Sequence, residues 1–161
     1  MEFLIVFLSF VAFFGCSIGT DMNSCSDFDG IKPNVSYSIN SYTCESTPCE
    51  CILGCAAVIS VTFNSPRYLD NIKPRAVATA DGVTLDYPLG QDDACDGITN
   101  AVCPIEKGEL VNYKYSMDVP NIFPEITVNL RFSIVDKNLN EDVVCFDFDI
   151  LVKKNKDCPS A

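Results

Sequence analysis

The chain has no histidine and no tryptophan, only three methionines in 161 residues, and 11 Lys and Arg against 22 Asp and Glu. Without an imidazole there is no Ser-His or Cys-His nucleophile pair and no histidine-bound catalytic metal, which excludes the commonest hydrolase designs. The shortage of basic residues leaves a formal charge of −11. That charge repels nucleic acid and anionic bilayer faces over about a Debye length, so a nucleic-acid partner is excluded. It suits a neutral, cationic or apolar ligand, since phosphate recognition needs Arg or Lys donors. Repeats, low-complexity tracts and charge runs are also missing, so no linker divides the chain. At roughly 150 residues per domain it forms one unit.

What is present begins with an export signal. Phe3 to Phe14 form an apolar run broken only by Ser9, too short to span a bilayer, and Ser17 and Gly19 suit cleavage before Thr20. Residues 1–19 therefore read as a signal peptide, although Glu2 stands where a basic residue is usual. Residues 20–161 form the domain, with a secreted, extracellular or lysosomal-lumen destination. Cleavage removes Cys16 and leaves nine of the ten cysteines. In an oxidising compartment these form disulfides, and the odd count leaves at least one unpaired. Asn34-Val35-Ser36 is a glycosylation sequon consistent with export.

The dominant pattern has period two. Ile59, Val61 and Phe63 alternate with polar neighbours, and so do Val111 to Val119, Val128 to Ile134 and Val144 to Ile150. Shorter candidate strands lie at Val35 to Ile39, Ala76 to Ala80 and Val83 to Tyr87, and turn signals such as Asn64-Ser65-Pro66, Asp81-Gly82 and Lys107-Gly108 separate the runs. No stretch carries a helical stripe. Strands with one apolar face each bury those faces against one another, so the fold class is all-β, a two-sheet antiparallel sandwich of the immunoglobulin kind. On the first strand Val35, Tyr37 and Ile39 set the inward parity, which leaves Asn34 outside.

The cysteines sit in a recognisable order. Cys44-Glu-Ser-Thr-Pro-Cys49 is a clamp ending in Pro-Cys, with Gly54 and a strand after it. Tyr87-Pro88 precedes Cys95, Cys103-Pro104-Ile105 follows, Phe123-Pro124 opens the next strand, and Cys145-Phe146 marks the last. This order resembles the ML lipid-recognition domain family over nearly the whole domain. The resemblance implies disulfides Cys25–Cys145, Cys44–Cys49 and Cys95–Cys103, and an apolar slot between the sheets. The first and last strands joined by Cys25 and Cys145 give the long closure that most restricts an unfolded chain, about 4 kcal/mol in the chain-entropy model.

The ligand residues that the resemblance implies are Tyr87, Val119, Phe123, Pro124, Val128, Leu130, Phe132 and Phe146. Every strand residue among them has inward parity. Ile59, Val61, Phe63, Leu85 and Phe148 share that parity and form a second tier. This chain departs from the family's sterol carriers in a longer Cys95–Cys103 loop, in Phe132 and Phe146 where those have tryptophan, and in Cys51 at an apolar pocket position, and it lacks the basic rim expected of a lipopolysaccharide binder. The tail cysteine, Cys158, is expected to pair with Cys51 or Cys55 and leave the other as a buried thiol.

Cys44, Cys49, Cys51 and Cys55 could in principle bind zinc, but disulfides suit an exported chain better, so no metal or cofactor is expected. Acid pairs such as Asp92-Asp93 and Asp147/Asp149 assemble no nucleophile, base and orienter. The expectation is a monomeric, non-enzymatic carrier of a sterol, fatty acid or similar apolar molecule, with a membrane or receptor as its docking partner for exchange. The other reading is an extracellular recognition module in which lipid is only a filler.

Overall fold

The computed structural model describes residues 22–154 together with Asp157 and Cys158, so the signal segment and Cys16 lie outside the described residues. Ten strands follow in order: β1 (Asn23–Ser24), β2 (Asn34–Ile39), β3 (Tyr42–Thr43), β4 (Cys49–Ile52), β5 (Ala56–Asn64), β6 (Ile72–Ala80), β7 (Val83–Tyr87), β8 (Leu110–Asp118), β9 (Thr127–Asp136) and β10 (Glu141–Lys153). A short 3-10 helix, Ala94–Gly97, lies between β7 and β8. Sheet one runs β1-β10-β9-β6-β7 and sheet two runs β3-β2-β5-β8. This is the expected two-sheet sandwich, in which β5 buries alternate residues at Ala57, Ile59, Val61 and Phe63 and β8 does so at Val111, Tyr113 and Tyr115.

Two details differ from the sequence reading. The strand expected at Ala76 to Ala80 begins earlier, at Ile72, and runs through Pro74. Only β9 pairs with that early stretch, because β7 joins at Ala76, and proline is tolerated at such an edge. The second difference is β4, which pairs with β10 in parallel, so one pairing in the sandwich is not antiparallel.

The sandwich divides lengthwise. At one end Val61, Phe63, Val111 and Tyr113 of sheet two meet Ile134, Val144 and Phe146 of sheet one, all buried. Leu69 and Ile105 close that end through a reciprocal pair of backbone hydrogen bonds at 2.9 and 2.8 Å. Phe132 marks the boundary, its ring stacked on Phe146 at 5.5 Å and tilted against Tyr113 and Tyr115 of the opposite sheet at 6.1 and 6.3 Å. Beyond Phe132 the sheets enclose space rather than side chains.

Four disulfides pin this arrangement. Cys25–Cys145, Cys44–Cys49 and Cys95–Cys103 form as the family resemblance implies. The fourth joins Cys55 to Cys158, which leaves Cys51 as a buried thiol. Cys44, Cys49 and Cys55 are thus covalently committed, and the closely spaced thiols form a framework.

On the outer face of sheet one, Arg131 reaches Asp27 at 2.7 Å and Asp142 at 3.3 Å, tying the segment beyond β1 to β9. The Arg131 guanidinium holds the Asp27 carboxyl below its ordinary 3.8. A carboxyl with a lowered folded-state pKa contributes stability above its unfolded pKa and loses it as pH falls through the folded value. Arg131→Ala is therefore expected to lower the urea midpoint slightly at pH 6, with the gap from wild type shrinking at pH 2.5. Urea titrations at both pH values check this.

Candidate lipid-binding site

The hollow half contains a cavity of about 420 Å³, within the range of about 300–1,000 Å³ typical of small-molecule sites. Its volume comes from small side chains. Ala76, Ala78 and Ala80 face it from β6 and Ala57 faces it from β5, where bulkier residues would fill the gap. Sheet two adds Ile59, Tyr115 and Met117, and sheet one adds Val128, Leu130 and Phe132 from β9 and Ile150 and Val152 from β10.

The mouth lies between β7 and the loop from β8 to β9. Tyr87 and Phe123 meet there edge to face, with ring centroids 5.9 Å apart. The loop is held at its base, where the Val119 N–H donates to the Cys55 carbonyl at 2.9 Å and the Gly54 N–H donates to the Val119 carbonyl at 2.8 Å. Gly54 has φ +78, and a Cβ there would also crowd the Asn121 side chain at 3.2 Å, so glycine suits this contact twice over. Across the mouth, the segment after β7 is fastened to β8, because Tyr115 donates to the Leu89 carbonyl and Tyr113 to Gln91 Oε1, each at 2.7 Å. Val83 and Leu85 on edge strand β7, and Ile122 on the loop, leave an apolar rim, with Leu85 65% and Ile122 86% exposed.

Among the described residues, none that lines the wall is basic. Burial pushes the Cys51 thiol and the Tyr37, Tyr87 and Tyr115 phenols above their ordinary pKa values, which keeps all four neutral at physiological pH. Asp86, the acid among the lining residues, holds its carboxylate against Arg75 at 2.9 Å. Such a surface can bind by apolar burial and a few uncharged hydrogen bonds.

Of the eight residues implied by resemblance, Tyr87, Val119, Phe123, Pro124, Val128, Leu130 and Phe132 line the cavity. Phe146 does not, because it lies behind Phe132 in the packed half. In the second tier Ile59 and Leu85 line it. Val61 and Phe63 fall in the packed half, and Phe148 is covered by Tyr37 at 5.5 Å. Parity identified the inward side for all of these but not their depth along the sandwich. Sequence reasoning missed Tyr37, the β6 alanines, Tyr115, Met117 and Ile150 as wall residues. Inward parity could have placed Tyr115, Met117 and Ile150, and a run of inward alanines signals missing volume. Asn34 is exposed at the start of β2.

A β-sandwich whose sheets separate at one end around a predominantly apolar cavity defines a small-molecule binding protein. The chain belongs to the ML domain family, whose model matches residues 19–152, and the ML domain is lipid-binding. Among individual proteins it is similar to the bovine NPC intracellular cholesterol transporter 2, with 27% identity over 95% of this chain and 99% of that protein. It is also similar to the Drosophila melanogaster homolog a of that transporter, at 26% over 65% of this chain and 70% of the other. A mite group 2 allergen of Psoroptes ovis is 33% identical over 53% of this chain and 57% of the allergen. The crystal structure of a Niemann-Pick type C2 protein from the Japanese carpenter ant shares the fold, with a TM-score of 0.65 and 20% identity over 78% of this chain and 98% of the other.

Proposed function

We propose that this protein is an exported, non-catalytic carrier that holds one apolar lipid between its sheets and exchanges it through the mouth at Tyr87 and Phe123. The observation that carries this reading is the cavity, which is open at one end and lined almost entirely by apolar groups. Burying a long alkyl chain yields about 0.8 kcal/mol per CH₂, so an acyl chain or sterol ring system offers on the order of 10 kcal/mol before association costs. The similarity to a cholesterol transporter supports the same reading. The disulfide framework supports export, and among the described residues no helix is long and apolar enough to cross a membrane. The apolar rim at Val83, Leu85 and Ile122 offers a docking surface for the membrane or protein from which lipid is taken.

Cys51 supplies the test, because its thiol lies on the cavity wall and is the free cysteine among those described. Bound lipid should shield it. Alkylation by a small uncharged maleimide is expected to slow by tenfold or more when lipid-stripped protein is reloaded with a sterol or a long-chain lipid, as read by intact mass. Equal rates with and without lipid would place the ligand elsewhere and end the carrier reading.

A further inference from the structure

The hydroxyl, thiol and carboxyl groups among the residues lining the cavity belong to Tyr37, Cys51, Asp86, Tyr87 and Tyr115. Tyr37 and Cys51 are bonded to each other, and Tyr37 also donates to the Glu50 carbonyl. Tyr115 donates to the Leu89 carbonyl, and Asp86 is held by Arg75. Tyr87 differs from all of these: its ring meets Phe123, and among the described residues its hydroxyl has no hydrogen-bond partner. It ends β7 directly opposite Ala76 of β6, half-buried at the mouth. Directly opposed residues of an antiparallel pair point to the same face, and Ala76 faces the cavity, so the Tyr87 side chain does too. Its phenol is also close enough to Cys51 and Tyr115, both on the wall, for charge on one to act on the other.

An O–H donor without a protein partner matters when the cavity fills. Water at the mouth can satisfy it until a lipid enters and displaces that water. A hydrocarbon offers no acceptor in exchange, which leaves the donor unmade, whereas a ketone or ester oxygen accepts from Tyr87 and brings no donor of its own. A carboxylate would accept as well, but its charge would be buried next to Asp86 with no cation on the wall. Resting on the carrier reading, we infer that the Tyr87 hydroxyl is a specificity-determining donor that recognises an uncharged carbonyl oxygen on the cargo.

Displacement of the fluorescent reporter phenylnaphthylamine by 2-tridecanone and by tridecane at pH 7.4 tests the donor. Tyr87→Phe keeps the ring and its edge contact with Phe123. It is expected to weaken 2-tridecanone about fivefold, the worth of one hydrogen bond, while tridecane and the reporter bind as they do to wild type. The infrared carbonyl band of the bound ketone should lie at lower frequency in wild type than in the variant, a difference that a merely structural role for Tyr87 would not produce. Tyr87→Met makes the same comparison if thermal melts show the Phe variant to be poorly folded. Equal losses for ketone and hydrocarbon, or an unchanged ketone affinity and band, overturn the inference. A wild-type protein that binds neither the reporter nor either lipid overturns the carrier reading itself, so the two failures are distinguishable.

Discussion

Leu130→Asp is expected to weaken lipid binding by 100-fold or more while the protein remains folded. Leu130 lines the open cavity and is only partly buried, so a carboxylate there can stay hydrated while the cavity is empty. Lipid entry expels that water and leaves the charge unpaired. The cost is several kcal/mol, where about 1.4 kcal/mol already removes a factor of ten. Because the bound state would favour the protonated acid, part of the lost affinity should return as pH falls toward about 4, near the ordinary Asp pKa. Arg131→Ala, next along the strand but on the outer face, should bind as wild type does. Reporter displacement with thermal melts measures all of these. Equal affinity of folded Leu130→Asp and Arg131→Ala would remove the cavity from the binding reaction.

Phe132→Ala should act mainly on stability. This residue lines the slot, as sequence reasoning expects, and its ring is also fully buried, stacked on Phe146 and packed against two tyrosines of the opposite sheet. Truncation there is expected to cost about 3–5 kcal/mol and about 10 °C in Tm. Surviving protein should accept a bulkier ligand, because the cavity floor drops toward Phe146. A loss under about 1 kcal/mol in urea denaturation would show that Phe132 is not the boundary between packed and hollow halves.

The fold was legible because alternation fixes which side of a strand faces inward, and four long strands carry it clearly. The candidate site was legible only in part. Val128 and Phe146 have equal claims by parity, yet one lies on the wall and the other in packed core. What separates them is register, Val128 standing opposite Ile150 and Phe132 opposite Phe146, and no local pattern encodes that. The cavity is also made by what is missing, and alanines at 76, 78 and 80 give a weak strand signal because they contribute little burial. Cys158 could not be assigned between two partners because the choice depends on β4. Its parallel pairing with β10 accompanies a Cys51 side chain turned into the cavity, and Cys55 lies in the turn beyond.

The lengthwise division of the sandwich separates two kinds of selection. Changes among Ala78, Leu130 and Met117 alter the shape offered to a cargo while Phe63, Ile134 and Val144 continue to hold the sheets together. A chain built this way can acquire a new cargo by point substitution without first gaining a reserve of stability.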